Sequence, residues 1–343
     1  MKILFICAPE EDYLADALLH GLRKLHGADV VDFPKCEPLY KNCSDVIKPQ
    51  VRGNGFTLYT GLLDDVESDR YKIREKVANG WFDLVIFADI WRTFGYFVQW
   101  RPWLKPENCI LLDGEDTAQV YPHAGYWWRR PYYWFLPKGD AGFLYFKREW
   151  EDESRFNIWH RLLPKRWRRL FSNYDGLRRI SFSFPGEKIV TSLPYKKVRF
   201  ARHIVDEEIA ARVPGSSTQY AFSSEQSYYS DLQAARFGIT IRRAGWDCLR
   251  HYEIAANGCV PCFRDLDKKP VSCAPHGLLP GENCLSYSSY DDLVAQIESL
   301  SEEGYARVQR NTLNWVRSKT TLIVAAEVLA EWRRSFGSID TGR

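Results

Sequence analysis

Residues 228–264 read YYSDLQAARFGITIRRAGWDCLRHYEIAANGCVPCFR. Residues 228–235 have the spacing of a short helix. Residues 237–241 are an apolar run with β-branched members, the mark of a buried strand. Arg242-Arg243-Ala244-Gly245 forms a turn. Residues 246–257 return to helical spacing, and Gly258 follows where a left-handed residue ends a helix. Residues 260–263 are the next strand. Strand, loop, helix, glycine cap and strand together are the repeating unit of a parallel α/β sheet.

Helical steps of four, three and four from position 246 put Trp246, Arg250, Glu253 and Asn257 on one face. A glycine-containing turn that opens onto a helix presents free N–H groups and a positive dipole end, a favourable seat for phosphate. Arg250, one turn in, suits a bidentate contact with phosphate oxygens. Glu253 suits ribose hydroxyls. The competing reading is an ordinary surface ion pair, worth a few tenths of a kcal/mol.

The same alternation extends outward in both directions. Upstream, apolar strands are predicted at 2–7, 28–33, 83–88, 108–112 and 142–146, with helices at 12–25 and 69–79. A further strand is predicted at 180–184 (ISFSF). The pattern restarts with strands at 197–201 and 218–222 and a helix at 206–212. Downstream come a strand at 284–287 and helices at 291–300, 305–317 and 321–336. Two α/β domains follow: residues 1–190, residues 191–320, and a C-terminal helix over 321–343 placed to pack back on the first domain. In parallel sheets ligands sit at the carboxyl ends of the strands, which puts Asp89, Asp113 to Asp116 and Lys147 to Glu149 on one rim.

Composition excludes several classes. The chain has 343 residues, 45% hydrophobic and 27% charged, which is globular rather than disordered. With 47 basic and 44 acidic residues the net charge is +3, too balanced to imply nucleic acid by itself. No apolar run reaches the length of a membrane span. The first apolar run is too short for a secretory signal, and nine scattered cysteines suit reduced thiols, so a cytoplasmic location is expected. Cys259 and Cys262 form a C-x-x-C, but no second pair with ligand spacing follows, so no metal site is expected there.

The order Glu253-Ile254-Ala255-Ala256-Asn257-Gly258-Cys259-Val260-Pro261 resembles the donor-binding half of GT-B glycosyltransferases. Arg250 with Gly258-Cys259-Val260-Pro261 is similar to the exostosin-like version. Gly281-Glu282-Asn283-Cys284-Leu285, then Tyr290-Asp291-Asp292-Leu293 and a terminal helical pair, keep the family's downstream order. The resemblance covers roughly residues 197–330. It implies two Rossmann-like domains facing across a cleft and transfer of a sugar from a nucleotide-diphosphate donor, of UDP or GDP type, to a hydroxyl acceptor. The acceptor would be a glycan, a lipid-linked glycan or a modified nucleobase.

The donor-site residues implied are Arg202, Arg243, Gly245, Trp246, Arg250 and Glu253. The retaining pattern carries another Glu eight positions before Glu253, where this chain has Gly245. Neither metal nor cofactor is expected. Cationic groups and a helix N-terminus would stabilise the leaving diphosphate instead. On the acceptor side Asp113, Glu115 and Asp116 are the candidates for a catalytic base. His123 and the aromatic run over 126–135 are secondary candidates there. Arg161, Lys165, Arg166, Arg168 and Arg169 form a basic segment suited to a peripheral membrane or nucleic-acid contact. Two alternatives of other classes stand beside transfer: a non-catalytic nucleotide-sugar-binding or glycan-binding scaffold, and a nucleotide-sugar epimerase.

Overall fold

The computed structural model describes residues 1–8, 10–44, 51, 58–121, 142–151, 162–168, 176–220 and 222–337. Contacts divide the chain into two units, one of Met1–Ile47, Tyr59–Ser181 and Leu322–Arg343, the other of Lys48–Leu58 and Phe182–Thr321. The first unit runs β1 (Ile3–Ile6), α1 (Tyr13–His26), β2 (Val30–Phe33), α2 (Ile73–Ala78), β3 (Leu84–Phe87), α3 (Ile90–Trp100), β4 (Cys109–Asp113), β5 (Leu144–Lys147), α4 (Lys165–Arg168) and β6 (Leu177–Arg179). Its sheet is parallel, in the order β2-β1-β3-β4-β5-β6. β1, β3, β4 and β5 are buried at every residue, as strands covered on both faces must be.

Two helices of this unit start on aspartates that cap them. Asp12 accepts from the Leu14 and Ala15 N–H groups at 2.9 and 3.0 Å. Asp89 accepts from Trp91 N–H at 2.9 Å. Capping satisfies first-turn donors and, because both helices leave the carboxyl ends of strands, brings both carboxylates to that rim.

The second unit runs β7 (Val198–Phe200), α5 (Glu207–Arg212), α6 (Glu225–Ala234), β8 (Ala235–Thr240), α7 (Leu249–Ala256), β9 (Val260–Arg264), β10 (Leu285–Tyr287), α8 (Tyr290–Ser299) and α9 (Glu302–Arg317). Its parallel sheet has the order β10-β9-β8-β7. The last helix, α10 (Thr321–Phe336), lies from Leu322 onward in the first unit, where Trp332 donates to the Glu107 carbonyl at 2.8 Å and Glu331 pairs with Arg178. Among the described residues no helix is long and apolar enough to cross a membrane.

Three sequence expectations fail here. Residues 180–184 are not a strand; β6 lies just before them, at Leu177–Arg179. The segment is buried, but its backbone bonds elsewhere. Phe182 N–H donates to the Asp247 carboxylate, and Phe184 exchanges bonds with Lys319 and Thr321. Residues 218–220 and 222 are not a strand either. Tyr220 and Phe222 instead pack on Tyr228, with ring centroids 5.4 and 5.3 Å away. The helix predicted from position 246 begins at Leu249, so Trp246 lies in the preceding loop and does not share the face of Arg250 and Glu253.

α7 ends in a Schellman arrangement. Gly258 N–H donates to the Ala255 carbonyl at 3.0 Å and Cys259 N–H to that of Ile254 at 3.1 Å. Gly258 has φ +64°, and a Cβ there would stand 2.8 Å from Pro194 Cδ. On the other side of the helix, Gly238 of β8 lets Ile254 approach so closely that a Cβ would meet it at 2.8 Å. These two contacts set how deeply α7 seats on the sheet. Gly258→Ala adds left-handed strain to the clash and is expected to cost about 1–3 kcal/mol. A urea midpoint unchanged from wild type would refute this account of the cap.

Candidate functional site

The second unit's site is built on the loop between β8 and α7. Asp247 is buried and holds that loop with both carboxylate oxygens, accepting from Phe182 N–H at 2.8 Å and from the Tyr252 hydroxyl at 2.9 Å. His251 is fully buried. Its Nε2 lies 2.9 Å from the Trp246 carbonyl, so Nε2 carries the hydrogen, and Nδ1 accepts from the Thr240 hydroxyl at 2.9 Å. The imidazole also stacks on Phe263, 4.4 Å between centroids. Cys248, at the N-cap of α7, makes no side-chain cap hydrogen bond; of the first-turn N–H groups, that of His251 donates to the Cys248 carbonyl at 3.1 Å.

The cations around this helix start are uncommitted. Among the described residues the guanidinium groups of Arg202, Arg243 and Arg250 make no hydrogen bond or ion pair. Arg202 and Arg243 are exposed and Arg250 is half-buried. Arg242 lies over the Trp246 ring, 4.9 Å from its centroid. Two other arginines of the unit are paired. Arg264 binds Asp206 at 2.8 Å and Glu208 at 2.8 Å, and Arg236 binds Glu302 at 2.9 Å. Val205, Asp206, Ile241, Arg242, Arg243 and Arg264 border a pocket of about 520 Å³.

Glu253 does not pair with Arg250. It accepts from the Tyr228 hydroxyl at 3.3 Å. Burial pushes its pKa up to about 7, against the lowering effect of Arg250 and with a further push from Glu225. Tyr228 sits in a ring cluster with Tyr220, Phe222 and Tyr229. Glu225 itself is bound by Lys188 at 2.6 Å.

In the first unit, the rim carboxylates divide by their partners. Asp113 is fully buried, held by Lys147 Nζ at 2.9 Å and by the Tyr145 hydroxyl at 2.6 Å. Lys147 is its register partner across β4 and β5, so the ion pair is set by the sheet itself. Asp116 pairs with Arg148, which also donates to the Gly114 carbonyl at 2.8 Å. Glu115 is half-buried, and among the described residues its carboxylate has no hydrogen-bond or ion-pair partner. Burial and then the Asp113 charge raise its pKa. Asp89 is pushed up to about 8 by burial and by Asp12, although Arg92 stands 2.9 Å away.

No family model matches the chain, and no curated protein does. Solved structures do match it in fold. HepE of Anabaena, solved with UDP-glucose, gives a TM-score of 0.52 at 11% identity over 96% of this chain and 100% of that one. A glycosyltransferase of Rickettsia africae gives 0.55 at 8% identity over 98% and 99%. Sucrose-phosphate synthase of Thermosynechococcus elongatus gives 0.51 at 14% identity over 98% and 100%. The chain has the GT-B fold.

On this GT-B frame the expected donor residues separate into two kinds. Arg243, Arg250 and Glu253 surround the start and first turns of α7, and Arg202 follows β7. Gly245 is buried, its carbonyl accepting from Arg243 N–H at 3.1 Å, and it shapes the loop. Trp246 is buried against Phe263 and serves the loop's anchorage, contrary to a ligand-facing role. Of the acceptor-side candidates, Asp113 and Asp116 are tied into ion pairs and Glu115 is not. His123, the aromatic run over 126–135, Arg161 and Arg169 lie outside the described residues. Leu162 and Trp167, beside Arg166, are exposed. Cys259 and Cys262 are core residues. Sequence reasoning placed Asp89 on the rim and passed over Asp247 and His251. Only Asp247 carried a local signal, a carboxylate between the glycine turn and the helix start.

Two outcomes follow from these environments. Glu253 binds its proton more tightly in the folded chain than its ordinary value of 4.5 allows in the unfolded one. Its contribution is therefore fully present below 4.5 and is lost as pH rises through about 7. Glu253→Gln should thus stabilise the protein by about 1–3 kcal/mol near pH 8 and change little near pH 5; equal melting shifts at both pH values would contradict this. Asp113→Asn leaves Lys147 buried without its counter-charge and should cost about 3–5 kcal/mol in denaturant titration. A fully stable Asp113→Asn would return Asp113 to the candidate bases.

Proposed function

We propose that this protein is a glycosyltransferase that binds a nucleotide-diphosphate sugar on its second unit. The observation that carries the reading is Arg250: a half-buried guanidinium on the second residue of a helix without a side-chain cap, with no carboxylate partner although Glu253 lies three residues on. A partly desolvated cation left unpaired costs stability unless an anion completes it. The diphosphate would lie against Arg243, Arg250 and the first N–H groups of α7, and Glu253 would take the ribose hydroxyls. HepE, of the same fold, holds UDP-glucose, which supports a uridine diphosphate donor.

In the reaction an acceptor hydroxyl oxygen bonds to the anomeric carbon while the bond to the diphosphate breaks. The electron pair leaves on the diphosphate oxygen. Preformed cations and helix N–H groups stabilise that charge at little reorganisation cost. Glu115, unpaired and with a raised pKa, is the carboxylate of the first unit's rim best suited to take the acceptor's proton. In this reading the cationic groups take the part that a divalent ion has in metal-dependent transfer. The second reading, a donor-binding protein without turnover, draws on Gly245 in place of the retaining pattern's Glu.

A thermal-shift panel of UDP, GDP, ADP, CDP and TDP tests the donor site. The matching nucleotide at 100 times its Kd should add about 2.7 kcal/mol of stability. Arg250→Ala and Glu253→Gln should each weaken it at least about tenfold, the loss of one charge-assisted bond. No response to any nucleotide, or unchanged binding in both variants, would show the site misassigned. Release of nucleotide diphosphate from the matching sugar nucleotide, surviving EDTA and lost in Arg250→Ala, supports metal-independent transfer. Binding without release under any acceptor favours the scaffold, and interconversion of the sugar without transfer favours an epimerase.

A further inference from the structure

β7 is an edge strand of the second unit's sheet and pairs with β8. Register decides which of its main-chain groups that pairing uses. Val198 and Phe200 stand opposite Ala235 and Phe237, and Ala201 N–H donates to the Phe237 carbonyl at 3.0 Å. Alternate residues of a parallel strand turn both backbone groups to the same side, so Arg199 and Ala201 face β8 while Val198 and Phe200 face outward. Further along that outer edge the groups are taken. Arg202 N–H donates to the Asp231 carboxylate at 2.8 Å, the Arg202 carbonyl accepts from Ser217 N–H at 2.9 Å, and Ile204 N–H donates to the Ser217 carbonyl at 3.0 Å. Among the described residues, no such partner meets the outward N–H and C=O groups of Val198 and Phe200.

That open stretch is one wall of a cavity of about 490 Å³, and the turn over 212–216 is another. A strand laid there would continue the pairing that Ser217 begins. Val198 is 47% exposed, so the edge is accessible. A strand edge with free groups is a template for one more strand, and the charges around it select which. Arg199, Arg202 and Arg212 border the cavity against one acid, Asp231, which is committed to the Arg202 N–H. Arg212 lies over the Tyr290 ring, 5.4 Å from its centroid. Arg199 stands 3.7 Å from the exposed Glu298, a contact of little worth in solvent. Lys197 adds an exposed cation just before the strand. A second copy of β7 would bring the same positive charge, so this edge turns away its own kind and admits a chain of opposite sign.

We propose that the free edge of β7 binds an extended, acidic segment of a partner protein by strand addition. Val198 and Phe200 offer two N–H donors and two carbonyl acceptors, enough to fix about three residues of an incoming strand. The arginines beside them take its carboxylates. The occupant is a polypeptide and not a small anion, because donors and acceptors alternate along the edge at strand spacing, and a phosphate or carboxylate can only accept. The proposal does not rest on the donor-site reading, since Val198, Arg199, Phe200 and Arg212 have no part in that site. Arg202, a donor-site candidate, is left unchanged in the test.

The test is amide hydrogen exchange read by NMR on the full chain. The probe is the peptide acetyl-Glu-Val-Glu-Val-Glu-amide. Its controls are acetyl-Lys-Val-Lys-Val-Lys-amide and the acidic peptide with every backbone nitrogen methylated. In the free protein the Val198 and Phe200 amides should exchange at least about tenfold faster than the hydrogen-bonded Ala201 amide. Millimolar acidic peptide should protect both, and neither control should. Arg199→Glu combined with Arg212→Glu should weaken the acidic peptide at least about tenfold without moving the melting temperature. Val198→Pro, tolerated where an edge N–H faces solvent, should abolish protection at Phe200. No protection by the acidic peptide, equal binding of either control, or undiminished binding in the charge-reversed double variant overturns the proposal. Shifts at the arginines without protection of the two amides would mark an anion site only and overturn it as well.

Discussion

Asp247 is the group on which the second unit's site depends. It is a buried carboxylate that spends both oxygens on holding backbone and side chain in place, one on the Phe182 N–H and one on the Tyr252 hydroxyl. A buried carboxylate must be satisfied, and the protein satisfies it with neutral donors rather than with a nearby arginine. That choice leaves Arg250 and Arg243 uncompensated. Had Asp247 taken a guanidinium, the loop would be just as fixed but the site would hold no surplus charge. His251 completes the clamp from the same helix by holding the Trp246 carbonyl. The loop's shape is thus set before any ligand arrives, which is the condition under which fixed charges stabilise a developing anion most effectively.

The two rims follow opposite electrostatic plans. On the first unit, acids outnumber the cations that reach them. Asp12, Asp89, Asp113, Glu115 and Asp116 share Arg92, Lys147 and Arg148, and burial, with the neighbouring acids adding to it, raises the proton affinity of Asp89 and Glu115. On the second unit the surplus is positive. Geometry decides which carboxylates remain available. Asp113 and Lys147 face each other in register across two buried strands, so that pair is structural. Glu115, two residues further, has left the strand and has no such partner.

Much of this architecture was legible in the sequence because buried parallel strands are apolar runs: β1 and β3 are wholly apolar, β4, β5 and β9 are so up to a charged last residue, and β8 is apolar from Phe237 to Ile239. The cap at Gly258 was legible for a local reason as well. The failures came where the backbone found partners that are distant in sequence. Residues 180–184 alternate like a strand, but past Ile180, whose N–H still donates to the Lys147 carbonyl of β5, Phe182 N–H goes to Asp247 and both backbone groups of Phe184 go to the turn between α9 and α10. Tyr220 and Phe222 look like strand residues and are wedges between helix and loop. α3 went unpredicted although its buried Ile90, Thr93, Phe97 and Trp100 fall at helical spacing on one face. In the site, residue type and spacing marked Arg250 and Glu253. They could not show that Asp113 is neutralised by Lys147, since that pairing depends on strand register, nor that Trp246 faces inward.

Burial governs how Glu253 would answer a nucleotide. Its pKa is pushed up to about 7, first by burial and against the lowering effect of Arg250. The Tyr228 hydroxyl that donates to it belongs to a ring cluster with Tyr220, Phe222 and Tyr229. On the proposed reading, a ribose hydroxyl donates to Glu253 and favours its carboxylate, so a donor would drive a proton off this group near neutrality. In open solvent the carboxyl would already be ionised at neutral pH, and a bound hydroxyl would have no proton to displace. The aromatic cluster is therefore as much a part of the site's charge response as the arginines are.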